Sequence, residues 1–269
     1  MNDGVHPTLH NGSVDRGLLV PSVNGSLAAK LLVFVLSVIA GSVDIIGFLE
    51  MGGLFIAHIT GNIVVLAARL VAGDQASLAR LIAVPVFVAA LALSRLLAAG
   101  LERIRISSLI PLLLLQFLLL LAFFNICFDA GRVIDPNSPR MIFAGMLGVS
   151  AMAVQNALVR ISLRGAPSTA VMTTNITLFT TDVVQILLRG DANSVATARD
   201  RAGNTWPAIA GFLLGCTLGA ASEAALGLRS LVLPAALALF AIALGVSAAL
   251  QDAGAANSSS GEQYDRRKG

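Results

Sequence analysis

Apolar runs of about 20 residues follow one another along almost the whole chain, and each is long enough to cross the hydrocarbon core of a bilayer as a helix. They extend from Leu27 to Phe48, Gly53 to Ala72, Arg80 to Ala99, Ser107 to Phe128, Met141 to Ile161, Ala170 to Leu188, Pro207 to Leu226 and Arg229 to Leu250. Breakers lie between them: Gly52 and Gly53, Gly73 with Asp74, Asp135 with Pro136, Gly165 with Pro167, and Gly190 with Asp191. In hydrocarbon every backbone amide must find its partner inside its own segment, and the runs lack the alternation of a barrel strand. The expected class is therefore all-α, a polytopic helical membrane bundle of eight apolar segments.

Only 12% of residues are charged and 56% are hydrophobic, against about 25% charged in a soluble domain. The connections leave no room for a soluble catalytic domain. The 18 Lys and Arg residues, in a chain of net charge +3, are scattered at segment ends rather than gathered in a stripe. They read as topology determinants, so the lipid bilayer is the expected partner and nucleic acid is not.

Residues 1–26 are polar and aperiodic, as are residues 251–269, and both are expected to be disordered tails. Between them the organisation reads as a first half over 27–128, a connecting loop over 129–140 and a second half over 141–250. A cleaved signal peptide is disfavoured because the apolar run after Lys30 continues past the small residues Ala40, Gly41 and Ser42. Cys127 and Cys216 lie in apolar segments as small hydrophobes, and no metal-ligand spacing occurs.

The halves echo each other. Ile59-Thr60-Gly61-Asn62 in the second segment is matched by Met172-Thr173-Thr174-Asn175 in the sixth, and Ser108 to Pro111 in the fourth by Ser230 to Pro234 in the eighth. If the second and sixth segments cross the bilayer there are eight crossings and parallel halves. If they enter and return there are six, and the halves are inverted, as in many secondary transporters. Loop charges put both termini in the cytoplasm under either count and do not choose between them.

Polar residues at lipid depth carry the functional signal, because they are costly there. The sixth segment holds Thr174, Asn175, Thr177, Thr181, Asp182 and Gln185 on one broad face. Such a face either glues helices together or lines a hydrated cavity. Asp182 is the strongest candidate for a coupling or cation-binding carboxylate. In the second segment His58, Thr60 and Asn62 surround Gly61, where a helix break would expose backbone groups to a ligand. His58 is the only histidine in any segment, so it is either a hydrogen-bonded packing group or a proton carrier, and a bis-histidine haem is excluded. Asp44 sits close to the interface end of the first segment, and Gln155 with Asn156 supplies two adjacent carboxamides in the fifth. Gly211, Gly215 and Gly219 form a small-residue packing face, within the monomer or between protomers of a homo-oligomer.

Gly41-Ser42-Val43-Asp44, Gly53 through Asn62, Gln155-Asn156-Ala157 and Thr169 through Asn175 together resemble the YoaK family of bacterial inner-membrane proteins. The resemblance covers about residues 27–250, with Thr174 standing where the family pattern has a second glycine. It implies a multi-pass inner-membrane protein and supplies no substrate. The functional expectation is a secondary transporter or permease for a small polar solute or ion. Its pocket would lie between the halves, formed by Asp44, His58, Thr60, Asn62, Gln155, Asn156, Thr173, Asn175 and Asp182. The alternative is a nontransporting membrane scaffold or stress-related assembly protein. An enzyme is not expected, since neither aspartate has an intramembrane-protease setting, no metalloprotease or nucleophile-elbow motif occurs, and no cofactor or metal is implied.

Overall fold

A computed structural model describes residues 26–73, 77–128, 135–189 and 191–265. The expected N-terminal tail up to residue 25 and most of the connecting loop lie outside these. The described residues are all-helical: α1 Leu27–Glu50, α2 Ile59–Val71, α3 Leu78–Arg103, α4 Leu109–Phe128, α5 Pro139–Ser162, α6 Met172–Leu187, α7 Ala192–Leu226, a 3-10 turn over Gly227–Leu231, and α8 Val232–Asp265. Five stretches are long and apolar enough to cross a membrane, the last being the continuous run Ala192–Gln251. This is a membrane-like helical bundle.

Contacts at the helix ends sort the chain between two ends of that bundle. At the near end Ser26, which caps α1, donates to Gln251 Oε1 (2.8 Å), and Ser108 before α4 meets Ser162 at the close of α5 (2.9 Å). At the far end Glu50 lies beside Glu223 of α7, Arg80 of α3 donates to the Gly52 and Gly53 carbonyls, and Arg229 lies over the Phe128 ring. Thus α1, α4 and α7 run from near to far, while α3, α5 and α8 run back.

The two short helices do not follow this alternation. After α1 the chain reverses through Gly52 (φ 64°) and Gly53 (φ 82°), backbone geometry that only glycine adopts without cost. It then descends beside the helix it has just left, with Ile56 lodged against Gly47 and the Ile56 to His58 amides level with Asp44. Consequently α2 begins inside the bundle and leads back to α3, whose first turns lie at the far end. At 13 residues it is about 20 Å long, short of the roughly 30 Å hydrocarbon core. The 16-residue α6 starts in the same way after Gly165 (φ 73°) and returns to the near end.

Four boundaries differ from the sequence reading. The expected segments Gly53 to Ala72 and Ala170 to Leu188 start as extended chain, because their first residues serve as the descending connections. α7 begins at Ala192 rather than Pro207: Asp191 caps it by accepting from the Ser194 N–H (3.0 Å), and Ala196, Ala198 and Ala202 favour helix in an otherwise polar stretch. α8 continues through Asp265, beyond the expected end at Leu250, since propagating an existing helix adds a hydrogen bond per residue.

Helix pairing is close where side chains are small. Gly211, Gly215 and Gly219 face Phe34, Val38 and Ser42 of α1, and Gly41 returns the contact against Phe212 and Cys216. The glycine face therefore packs within the monomer and is not left open to a second copy. Elsewhere α5 packs on α3 and α4, α8 on α1 and α4, α2 on α3, and α6 on α7.

A methyl group at Gly215 would collide with the Val38 carbonyl, whereas one at Gly203 meets nothing within 4 Å. Gly215→Ala is expected to lower stability by about 1–3 kcal/mol through overpacking. Gly203→Ala should raise it by about 0.5–1 kcal/mol through helix propensity. Thermal unfolding of both variants in one detergent checks the contrast.

Candidate functional site

Asp44 stands one and a half turns before the end of α1, buried between α1 and the descending connection. Its Oδ1 accepts from three successive backbone N–H groups, Ile56 (2.8 Å), Ala57 (2.7 Å) and His58 (3.2 Å). Its Oδ2 lies 2.7 Å from His58 Nδ1. Successive N–H groups at a helix N-terminus form an anion-binding concavity, and here the chain supplies the anion from its own side chain. His58 precedes α2 without capping it by its own side chain, so Asp44 takes that role from another helix. The His58 side chain is 36% exposed against 7% for Asp44, and its ring packs edge-on to Phe212 of α7 at 5.2 Å. The imidazole is thus the contact between a buried carboxylate and the outside of the bundle.

Asn62 holds the same connection from the other side. Its Oδ1 accepts from the Phe55 N–H (2.9 Å) and its Nδ2 donates to the Phe55 carbonyl (2.7 Å), satisfying both backbone groups of a residue that lies in no helix. The break precedes Gly61, contrary to the expectation that the glycine itself marks it. Gly61 is small because the Phe55 ring occupies the space where its Cβ would be.

The connection before α6 is held by other chemistry. Asn175 Nδ2 donates to the Ser168 carbonyl (2.6 Å), so Asn62 and Asn175 each hold the carbonyl seven residues before them. Gln155 Nε2 donates to Thr169 Oγ1 (2.8 Å) and to the Leu36 carbonyl of α1 (2.9 Å). Its Oε1 accepts from Gln116 Nε2 of α4 (2.7 Å), leaving Gln116 Oε1 buried and unpartnered. In place of a carboxylate, Ser168 Oγ accepts from the Ala170 and Val171 N–H groups (3.4 and 3.0 Å).

The nine residues singled out from the sequence do not form one pocket. Asp44, His58 and Asn62 hold the first connection, and Gln155 with Asn175 holds the second. Asn156 turns its Nδ2 to the Met152 carbonyl of its own helix (2.8 Å). Thr60 and Thr173 lie on exposed faces, and Thr177 and Thr181 spend their hydroxyls on the carbonyls of Thr173 and Thr177. Asp182 faces α7, where its Oδ1 accepts from Arg201 Nε (3.2 Å) and Nη2 (2.6 Å) while its Oδ2 is buried and unpartnered. That contact is a clamp between α6 and α7 rather than a member of the Asp44 cluster. The reason is positional: Asp182 sits near the C-terminal end of α6, far along the helix from the N-terminus that lies inside the bundle.

Gln116, Thr169, Ser168 and Arg201 are partners that the sequence reading did not single out as site residues. Gln116 was detectable, as the one polar residue between Leu112 and Leu121. Arg201 was hidden by the expectation of a loop before Pro207. Among the described residues no group of three or more His, Cys, Asp or Glu side chains could hold a metal ion.

A family model described as a protein of unknown function (DUF1275) matches residues 32–244. No curated protein and no solved structure matches the chain.

The Asp44 contacts have a measurable weight. Asp44→Leu strands three buried N–H groups and should destabilise the bundle by more than about 3 kcal/mol, since each unmet donor costs about 1–3 kcal/mol. Asp44→Asn keeps one acceptor oxygen and should cost clearly less. Limited proteolysis within residues 51–58, read alongside thermal unfolding, checks both: cleavage should rise in the order wild type, Asn, Leu.

Proposed function

We propose that this chain, which belongs to the DUF1275 family, is a secondary carrier for a small polar solute or ion, built as an inverted repeat with six crossings. One observation carries the reading: α2 and α6 each begin inside the bundle after a non-helical connection, one entered from the far end and the other from the near end. Broken helices in corresponding positions of two inverted halves are how many secondary transporters present backbone groups to a solute. Packing supports the relation of the halves, because α1 lies on α7 as α5 lies on α3, α8 on α1 as α4 on α5, and α2 on α3 as α6 on α7. The finer resemblance to the YoaK family, placement in a bacterial inner membrane and cytoplasmic termini belong to the same reading.

In this mechanism Asp44 and His58 form the coupling element, displacing Asp182 from the role its sequence position suggested. Protonating the Asp44 carboxylate removes the negative charge that three N–H groups converge on, and so weakens the hold on the Phe55 to His58 connection. His58, in contact with both the carboxylate and the outside, is placed to pass that proton. Opening of the first connection while the second stays closed, and the reverse, gives alternating access around the α1, α5 core.

Topology is tested by aqueous labelling of a cysteine at Gln75 after Cys127 and Cys216 are replaced. Six crossings place it on the side opposite both termini, and labelling from the same side as the termini would leave eight crossings and no inverted repeat. Function is tested by thermal stabilisation of purified protein across a solute panel, followed by uptake of any stabilising solute into vesicles. His58→Gln should then abolish the dependence of uptake on a pH gradient while expression survives. Absence of stabilisation by every solute would favour a nontransporting scaffold.

A further inference from the structure

The two connections can be compared residue by residue, because Asn62 and Asn175 hold equivalent carbonyls, those of Phe55 and Ser168. On that register His58 corresponds to Val171, and Asp44 corresponds to Ala157 of α5. The first half therefore delivers a carboxylate to the N–H groups that precede its short helix. The second half presents a methyl group at the same position, and the Ala170 and Val171 N–H groups turn to Ser168 Oγ instead.

Ala157, Ser168 and Val171 line a cleft of about 1020 Å³ between α3, α5 and the second connection. That volume is at the upper end of small-molecule sites. The cleft is divided chemically. Phe87, Val88 and Leu91 of α3 form an apolar wall, and Arg95, Glu102 and Arg160 stand on its charged side toward the near end. Arg95 and Glu102 pair with each other at 3.6 Å. Arg160 is left with no hydrogen-bond or ion-pair partner among the described residues, so one positive charge of the lining is uncompensated.

We infer that this cleft binds a small amphipathic carboxylate: its headgroup lies against Arg160, beside Ala157 one turn earlier on α5, and its apolar body lies along Phe87, Val88 and Leu91. A guanidinium binds carboxylate in a planar two-bond geometry that an ammonium does not match. The headgroup chemistry is shared with anionic lipid. The lining also holds the polar residues Asn156 and Ser168. The inference names a substrate class for the carrier reading and rests on it.

The test is equilibrium dialysis of radiolabelled 4-phenylbutyrate against the full chain in phosphatidylcholine nanodiscs. Saturable binding is expected, with no competition from the neutral 4-phenylbutyramide. Arg160→Gln should weaken it about tenfold, the effect of losing one charge-assisted contact, while Arg199→Gln on the exposed start of α7 leaves it unchanged. Ala157→Asp should abolish binding, since the chain then carries its own carboxylate there. Arg160→Gln decides the matter if that variant does not fold. No saturable binding, equal competition by the amide, or full affinity in Arg160→Gln overturns the inference. Displacement of the probe when phosphatidylglycerol is added to the nanodiscs would assign the cleft to lipid and likewise overturn it. Dialysis reads binding without flux, so the two failures separate: carboxylate binding with no uptake into vesicles sinks the carrier reading, and uptake of another solute with no carboxylate binding sinks only this one.

Discussion

A buried carboxylate accepting three consecutive amide hydrogens is the contact on which the first half of this bundle is organised. A chain that leaves a helix and re-enters a low-dielectric interior exposes backbone groups that neither water nor a helical ladder can satisfy. Asp44 answers the Ile56, Ala57 and His58 amides from α1, and Asn62 answers both polar groups of Phe55 from α2. With these met, a short helix can start inside the bundle. The glycines at 47, 52, 53 and 61 are consequences of the same demand, because the descending chain has to lie directly against α1 and α2.

The second half meets the same demand with neutral groups. Ser168 caps its own connection, Asn175 holds it, and Gln155 ties it to α1 and, through Gln116, to α4. The difference matters for any cycle in which the two connections open in turn. A charged latch responds to a proton, whereas an amide network responds to what competes for its hydrogen bonds. A bundle with one of each has two chemically distinguishable connections.

Much of the architecture was legible because hydrophobic length is a local property. The long helices α1, α3, α4 and α5 fall within a few residues of the apolar runs that announce them. The polar start of α7 was not legible, since nothing in hydropathy separates an exposed helix from a loop. The Asp191 cap and a series of alanines carry that information instead. For the site, residue type suggested Asp44, His58, Asn62, Gln155 and Asn175 as pocket residues, and the structure has each of them hydrogen-bonded to one of the two connections. Asp182, which looked most costly in isolation, lies opposite Arg201. The price of a buried charge cannot be read until its partner is known.

The amino-acid order alone settled that this is a bundle of apolar helices, because no other structure satisfies its own amides in hydrocarbon. It also indicated where those helices break, through glycine and through polar residues at lipid depth. Only the tertiary arrangement decided that two of the segments turn back instead of continuing, and which polar side chains meet. Both depend on contacts between residues far apart in the chain, such as Arg80 with Gly53 or Gln155 with Leu36. Periodicity and composition describe each segment against its solvent, and are silent about which segment lies beside which.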